Sequence, residues 1–150
     1  MPDGDAKKLE DIDWLLLAYS EAPQRLVNGE PVSRKDCLEH ALACNQKLPD
    51  AWIRLGLAGG GTVDGLKVSD IECFQNALEF DPQCALAWRY LGDRGGGTVK
   101  EVELSKIKCY QKSLELNPND ALTWRTLGVE GGGTVNGVRF SETKCLEESL

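Results

Sequence analysis

At 150 residues, with 41% hydrophobic content and a net charge of −7, the chain is sized for one domain with a core of its own. The acidic balance, with a pI near 4.8, argues against nucleic acid and anionic membranes as partners, since both need a basic footprint. The N-terminal apolar run Trp14–Tyr19 is too short for a signal core and follows Asp11 and Asp13. No stretch approaches the roughly 20 apolar residues of a membrane span. The expected compartment is therefore the cytoplasm, or else the nucleus.

Residues 1–8 are expected to be a flexible tail, and residues 9–150 an array of about four units: 9–48, 49–84, 85–120 and 121–150. The division follows from a period of 36 residues. Trp52, Trp88 and Trp124 match, as do Leu55-Gly56, Leu91-Gly92 and Leu127-Gly128. Glycine triplets begin at Gly59, Gly95 and Gly131, each followed by Thr-Val, and Ser33, Ser69, Ser105 and Ser141 recur. Periods of 20–50 residues mark stacked supersecondary units. The first copy diverges: Val27-Asn28-Gly29 aligns with Val63-Asp64-Gly65, but Pro23, Gln24 and Arg25 replace the triplet. A terminal unit has a neighbour on one side only, so divergence is expected there.

Within a unit, the stretch 83–92, "QCALAWRYLG", follows Asp81-Pro82 and places Ala85, Trp88, Leu91 and Gly92 on one helical face. Gly95-Gly96-Gly97 ends that helix, because glycine takes positive φ without steric cost. A hairpin follows. Asp64-Gly65 and Asn136-Gly137 between β-formers are strong signals for a two-residue turn. Lys100-Glu101 suits a type I′ turn poorly and predicts another turn or a looser hairpin. The hairpins either stand alone or pair edge to edge in a ribbon. Ser69 with Glu72 forms an S-x-x-E capping box, and Ser105 and Ser141 are further N-caps. The second helix, "DIECFQNALEF", buries Ile71, Cys73, Phe74, Ala77 and Leu78 and stops at Asp81-Pro82.

Little here points to chemistry. A P-loop needs a lysine and a hydroxyl after its last glycine, whereas Thr-Val follows each triplet. His40 is the only histidine and no CxxC is present, so no metal site, cofactor or catalytic residue is expected. Cys37, Cys73, Cys109 and Cys145 stand 36 residues apart. They are expected to be reduced and buried in equivalent second helices, because packed helices lie about 8–10 Å apart and a disulfide needs Cα atoms within about 7 Å.

These motifs resemble the tetratricopeptide repeat, whose pattern is W-x-x-L-G, then an aromatic and a small residue, then proline. "WIRLG" at Trp52–Gly56 is followed by Phe74, Ala77 and Pro82, and "WRYLG" at Trp88–Gly92 by Tyr110, Ser113 and Pro118. The resemblance covers roughly Asp11 to Leu150. It departs from the usual period of about 34, lacks the late tyrosine of the first helix, and has Asp70, Lys106 or Glu142 where a small residue is usual. It implies an all-α helical-repeat solenoid, a superhelix carrying a small β-hairpin in each unit. It also implies a groove, lined by first helices, that binds a peptide or protein. The family's carboxylate clamp is not reproduced, since its places hold Ile53, Leu57, Tyr90, Leu122 and Thr126.

The expected function is accordingly a non-enzymatic protein-interaction scaffold. Candidate contact residues are Arg54, Arg89, Tyr90, Asp93, Arg94 and Arg125, the non-consensus polar and aromatic positions of the first helices. The alternative is a self-assembling module that pairs end to end, or a fragment of a longer array, since Ser149-Leu150 aligns with Ser113-Leu114 in mid-helix.

Overall fold

The computed structural model describes residues 10–21 and 25–150. The expected tail at 1–8, and Pro23 and Gln24, lie outside the described residues. One element order occurs four times, as helix, strand, strand, helix. The first unit holds α1 (Asp11–Tyr19), β1 (Leu26–Val27), β2 (Glu30–Pro31) and α2 (Arg34–Cys44). The second holds α3 (Pro49–Leu57), β3 (Gly61–Val63), β4 (Leu66–Val68) and α4 (Asp70–Phe80). The third holds α5 (Ala85–Asp93), β5 (Gly96–Val99), β6 (Val102–Ser105) and α6 (Lys106–Leu116). The fourth holds α7 (Ala121–Val129), β7 (Gly133–Val135), β8 (Val138–Phe140) and α8 (Glu142–Glu148).

Helices pack within each unit, and each second helix packs on the next first helix. The close approach within a unit is made at Gly56 and Gly92. A Cβ there would come within 2.7 Å of the Phe74 ring or the Tyr110 ring, respectively. Trp52, Trp88 and Trp124 are buried, and each donates its indole N–H to a carbonyl six residues earlier: Trp52 to Gln46 at 2.7 Å, Trp88 to Pro82 at 2.9 Å, Trp124 to Pro118 at 2.7 Å. The indole thus fills the core while its one polar group ties the helix to the preceding turn. Cys37, Cys73, Cys109 and Cys145 are free and fully buried. Burial pushes the Cys73 thiol up to about 12 and the Cys109 thiol to about 11.

The all-helical expectation is corrected. Each helix pair carries its own two-stranded antiparallel sheet, so the fold mixes helix and strand. The strands belong to the core: Val63, Val99 and Val135 are only 4%, 5% and 3% exposed. The ribbon arrangement is also excluded among the described residues, because the four sheets are separate. The physical reason is that each later hairpin packs against the second helix of the preceding unit rather than against another strand. The Thr62 N–H donates to Glu39 Oε1 at 2.8 Å and the Lys100 N–H to Glu79 Oε1 at 2.6 Å.

The glycine triplet ends a helix and starts a strand. The Gly60 N–H donates to the Leu55 carbonyl and the Gly59 N–H to Gly56, a Schellman closure in which both glycines hold positive φ. The hairpin turns are all of one kind. Asn28-Gly29, Asp64-Gly65 and Asn136-Gly137 have positive φ at both residues, and so do Lys100 (48°) and Glu101 (64°). The expectation of another turn or a looser hairpin at Lys100-Glu101 is therefore wrong. That hairpin has four-residue strands where its neighbours have two or three. Its longer ladder and the Glu79 contact hold two side chains in a conformation they disfavour.

Serines open the second helices as expected. Ser69 and Glu72 form a reciprocal capping box, as do Ser33 and Asp36. The hydrogen bond from Ser69 N–H holds the Glu72 carboxyl below its ordinary range. Between units, Arg94 at the end of α5 pairs with Asp70 at the start of α4, and Lys106 at the start of α6 with Glu130 at the end of α7. These pairs occupy the same two slots, 36 residues apart, with opposite polarity.

Candidate functional site

All four first helices are nine residues long, and their second, sixth and ninth positions share one stripe. The stripe holds Ile12, Leu16 and Tyr19 on α1, Asp50, Arg54 and Leu57 on α3, Leu86, Tyr90 and Asp93 on α5, and Leu122, Thr126 and Val129 on α7. Seven of these side chains (Ile12, Leu16, Tyr19, Leu57, Leu86, Leu122 and Val129) are large, apolar or aromatic, and 39–72% exposed. Core packing does not account for so much exposed apolar surface at one helical register.

Neighbouring stripes touch. The Tyr19 hydroxyl donates to Asp50, and Arg54 lies 4.4 Å over the Tyr19 ring while its Nε meets Asp50 at 3.0 Å. Burial pushes the Tyr19 hydroxyl up to about 12, helped by the Asp50 carboxylate beside it. Burial also raises the Asp50 carboxyl, but hydrogen bonds from Tyr19 and Arg54 outweigh it and leave that carboxyl below its ordinary range.

The six candidate residues fall into three groups. Arg54, Tyr90 and Asp93 lie on the stripe. The Tyr90 ring stacks on Phe74 with centroids 5.4 Å apart, and Asp93 Oδ1 accepts from the Tyr110 hydroxyl at 2.9 Å. Arg89 and Arg94 lie off it and serve the chain itself. The Arg89 side chain is only 14% exposed, 3.8 Å from Asp120 and 4.7 Å over Tyr90; Arg94 pairs with Asp70. Arg125 is exposed, has no ion pair among the described residues, and stands between two clefts.

One cleft, of about 390 Å³, is lined by Lys106, Tyr110, Leu122, Arg125, Thr126, Val129 and Glu130. The other, of about 450 Å³, is lined by Arg125, Thr143, Leu146, Glu147, Ser149 and Leu150. A third cleft, of about 490 Å³, adjoins Gly59–Gly61 with Lys35, Lys67, Ser69 and Glu72. It makes a poor anion cradle, because the Gly59 and Gly60 N–H groups are spent on helix carbonyls and the Glu72 carboxylate stands in it.

Sequence reasoning missed the apolar members of the stripe. The signal was present, since one register of each first helix keeps large apolar residues that the W-x-x-L-G motif does not require. Among the described residues no group of three His, Cys, Asp or Glu side chains is placed to hold a metal, and no helix is long and apolar enough to cross a membrane. No family model matches the chain, and no curated protein matches it either.

Proposed function

We propose that this chain is a non-enzymatic interaction scaffold, related to the tetratricopeptide repeats, that binds an extended peptide or protein segment along its first helices in the cytoplasm. The observation that carries the reading is the exposed apolar stripe, repeated at one register of four helices and interrupted by Asp50, Arg54, Asp93 and Thr126. An apolar track with a few charged positions gives a partner both burial and register.

The test is a selection of random displayed peptides on the immobilised full chain, followed by anisotropy titration of the enriched sequences. Leu16→Asp and Leu57→Asp should each weaken binding at least tenfold, while Leu66→Asp, on an exposed hairpin position off the stripe, should leave it unchanged. Failure to enrich any peptide, or equal effects of all three substitutions, would count against the scaffold. A mass that grows with concentration in sedimentation would favour the self-assembling alternative.

A further inference from the structure

Tyr19, Leu57 and Val129 end the first helices of the first, second and fourth units, and Asp93 ends that of the third. An acid there opposes the helix dipole, whose C-terminal end is negative, so helix stability does not account for it. The residue 17 positions on changes with it. Leu57 has Phe74 and Val129 has Leu146, but Asp93 has Tyr110. Tyr110 sits in the core at 2% exposure, and its hydroxyl donates to Asp93 Oδ1 at 2.9 Å. Burial, helped by that bond, pushes the hydroxyl above its ordinary range, so it stays protonated and keeps donating.

Asp93 is also the one charge on the stripe without an opposite charge among the described residues. Asp50 and Arg54 pair with each other, and Arg94, next to Asp93 in the chain, is taken by Asp70. Asp93 is exposed, and its Oδ2 accepts no hydrogen bond among the described residues. Exposed apolar side chains share the stripe with it: Leu86 on the same helix, Leu57 and Val129 at the same slot of the neighbouring ones. A segment that covers this apolar surface strips water from the carboxylate, which is unfavourable unless the segment returns a positive charge. A fixed acid inside an apolar track therefore selects against wholly apolar and acidic segments.

We infer that Asp93 receives a basic side chain, lysine or arginine, of the bound segment, with apolar residues on either side of it against Leu57, Leu86 and Val129. The inference rests on the scaffold reading and adds the chemistry of the partner. Tyr110 is a positioning residue, since it fixes one carboxylate oxygen and leaves the other for the cation. A hydrogen bond between two charged groups of this kind is among the stronger ones a protein makes.

The probe is the blocked tripeptide acetyl-leucyl-lysyl-leucinamide, titrated into the full chain and followed by amide shifts in NMR. It should shift Leu57, Leu86, Asp93 and Val129. The norleucyl analogue, which has no charge, should bind at least threefold more weakly, and the glutamyl analogue should leave these residues unshifted. Asp93→Asn removes the charge but keeps an acceptor for Tyr110, and it should lower the lysyl peptide to the level of the norleucyl one. Tyr110→Phe keeps the ring and should narrow the preference for lysyl over norleucyl, which a merely structural role would not move. Equal binding of the lysyl and glutamyl peptides, or a lysyl preference that survives Asp93→Asn, would overturn the inference. A selected peptide that is lost on Leu57→Asp but indifferent to Asp93→Asn would remove the Asp93 subsite and leave the scaffold standing. Asp93-dependent binding of the lysyl probe with no stripe-dependent peptide would do the reverse.

Discussion

Replacing Lys100-Glu101 by Asn-Gly should stabilise the protein, although most substitutions destabilise. Both residues hold left-handed backbone, at φ of 48° and 64°, which costs a side-chain-bearing residue about 1–2 kcal/mol. Glu101→Gly removes that cost but returns about 0.4–1 kcal/mol through the freer unfolded chain, leaving a gain of about 0.5–1 kcal/mol. Lys100→Asn adds a few tenths, because asparagine tolerates this region better. The hydrogen bond to Glu79 survives, since Lys100 makes it through its backbone N–H. The equivalent glycines, Gly65 and Gly137, sit at φ of 77° with nothing near a notional Cβ, so no packing is lost. The double variant should therefore gain about 1 kcal/mol, or about 2–4 °C in Tm for a chain of this size, read by urea and thermal unfolding followed by circular dichroism. The reverse exchange, Asp64-Gly65→Lys-Glu, should lose a similar amount. Equal stability in all three proteins would refute the claim that the third hairpin carries backbone strain.

Two other outcomes follow from the core. Trp88→Ala should cost about 3–5 kcal/mol in chemical unfolding, the range for a large buried aromatic, and it also leaves the Pro82 carbonyl without its indole donor. In native protein at pH 8 a thiol reagent should modify exposed Cys44 promptly and spare Cys73 and Cys109, whose buried thiols have been pushed up to about 12 and 11. Mass mapping that finds Cys73 or Cys109 labelled before unfolding would contradict their place in the core.

The features legible in the sequence were those whose cause is local. Asp64-Gly65 dictates its turn, Ser69 and Glu72 cap their helix, and the Trp52, Trp88 and Trp124 series declares the period. Lys100-Glu101 was misjudged because local preference there yields to a longer ladder and a contact from Glu79, 21 residues away. The weight of the strands was misjudged for a related reason. A three-residue strand such as Gly61–Val63 is too short for its pattern to show which face is buried, and only the helix packed on it settles that Val63 faces the core. Glu39, Gln75 and Gln111 were overlooked although they recur every 36 residues, each reaching the third glycine of the next unit. At the candidate site, Arg54, Tyr90 and Asp93 were legible as non-consensus positions of the first helices. The cleft lined by Leu122, Arg125 and Val129 depends on how α7 lies against α6, which no single helix encodes.

The reversed polarity of the two inter-unit ion pairs bears on how similar units find their proper neighbours. Exposed pairs of this kind are worth only about 0–1 kcal/mol each, so their value does not lie in holding the joints shut. If α7 settled against α4 in place of α6, Glu130 would meet Asp70; if α5 settled against α6 in place of α4, Arg94 would meet Lys106. Each slipped joint brings like charges together, so the penalty for error adds to the small reward for correct pairing. The residues at these second-helix starts, Arg34, Asp70, Lys106 and Glu142, alternate in sign along the chain. The alternation gives adjacent joints different addresses in a molecule whose hydrophobic surfaces are otherwise almost interchangeable.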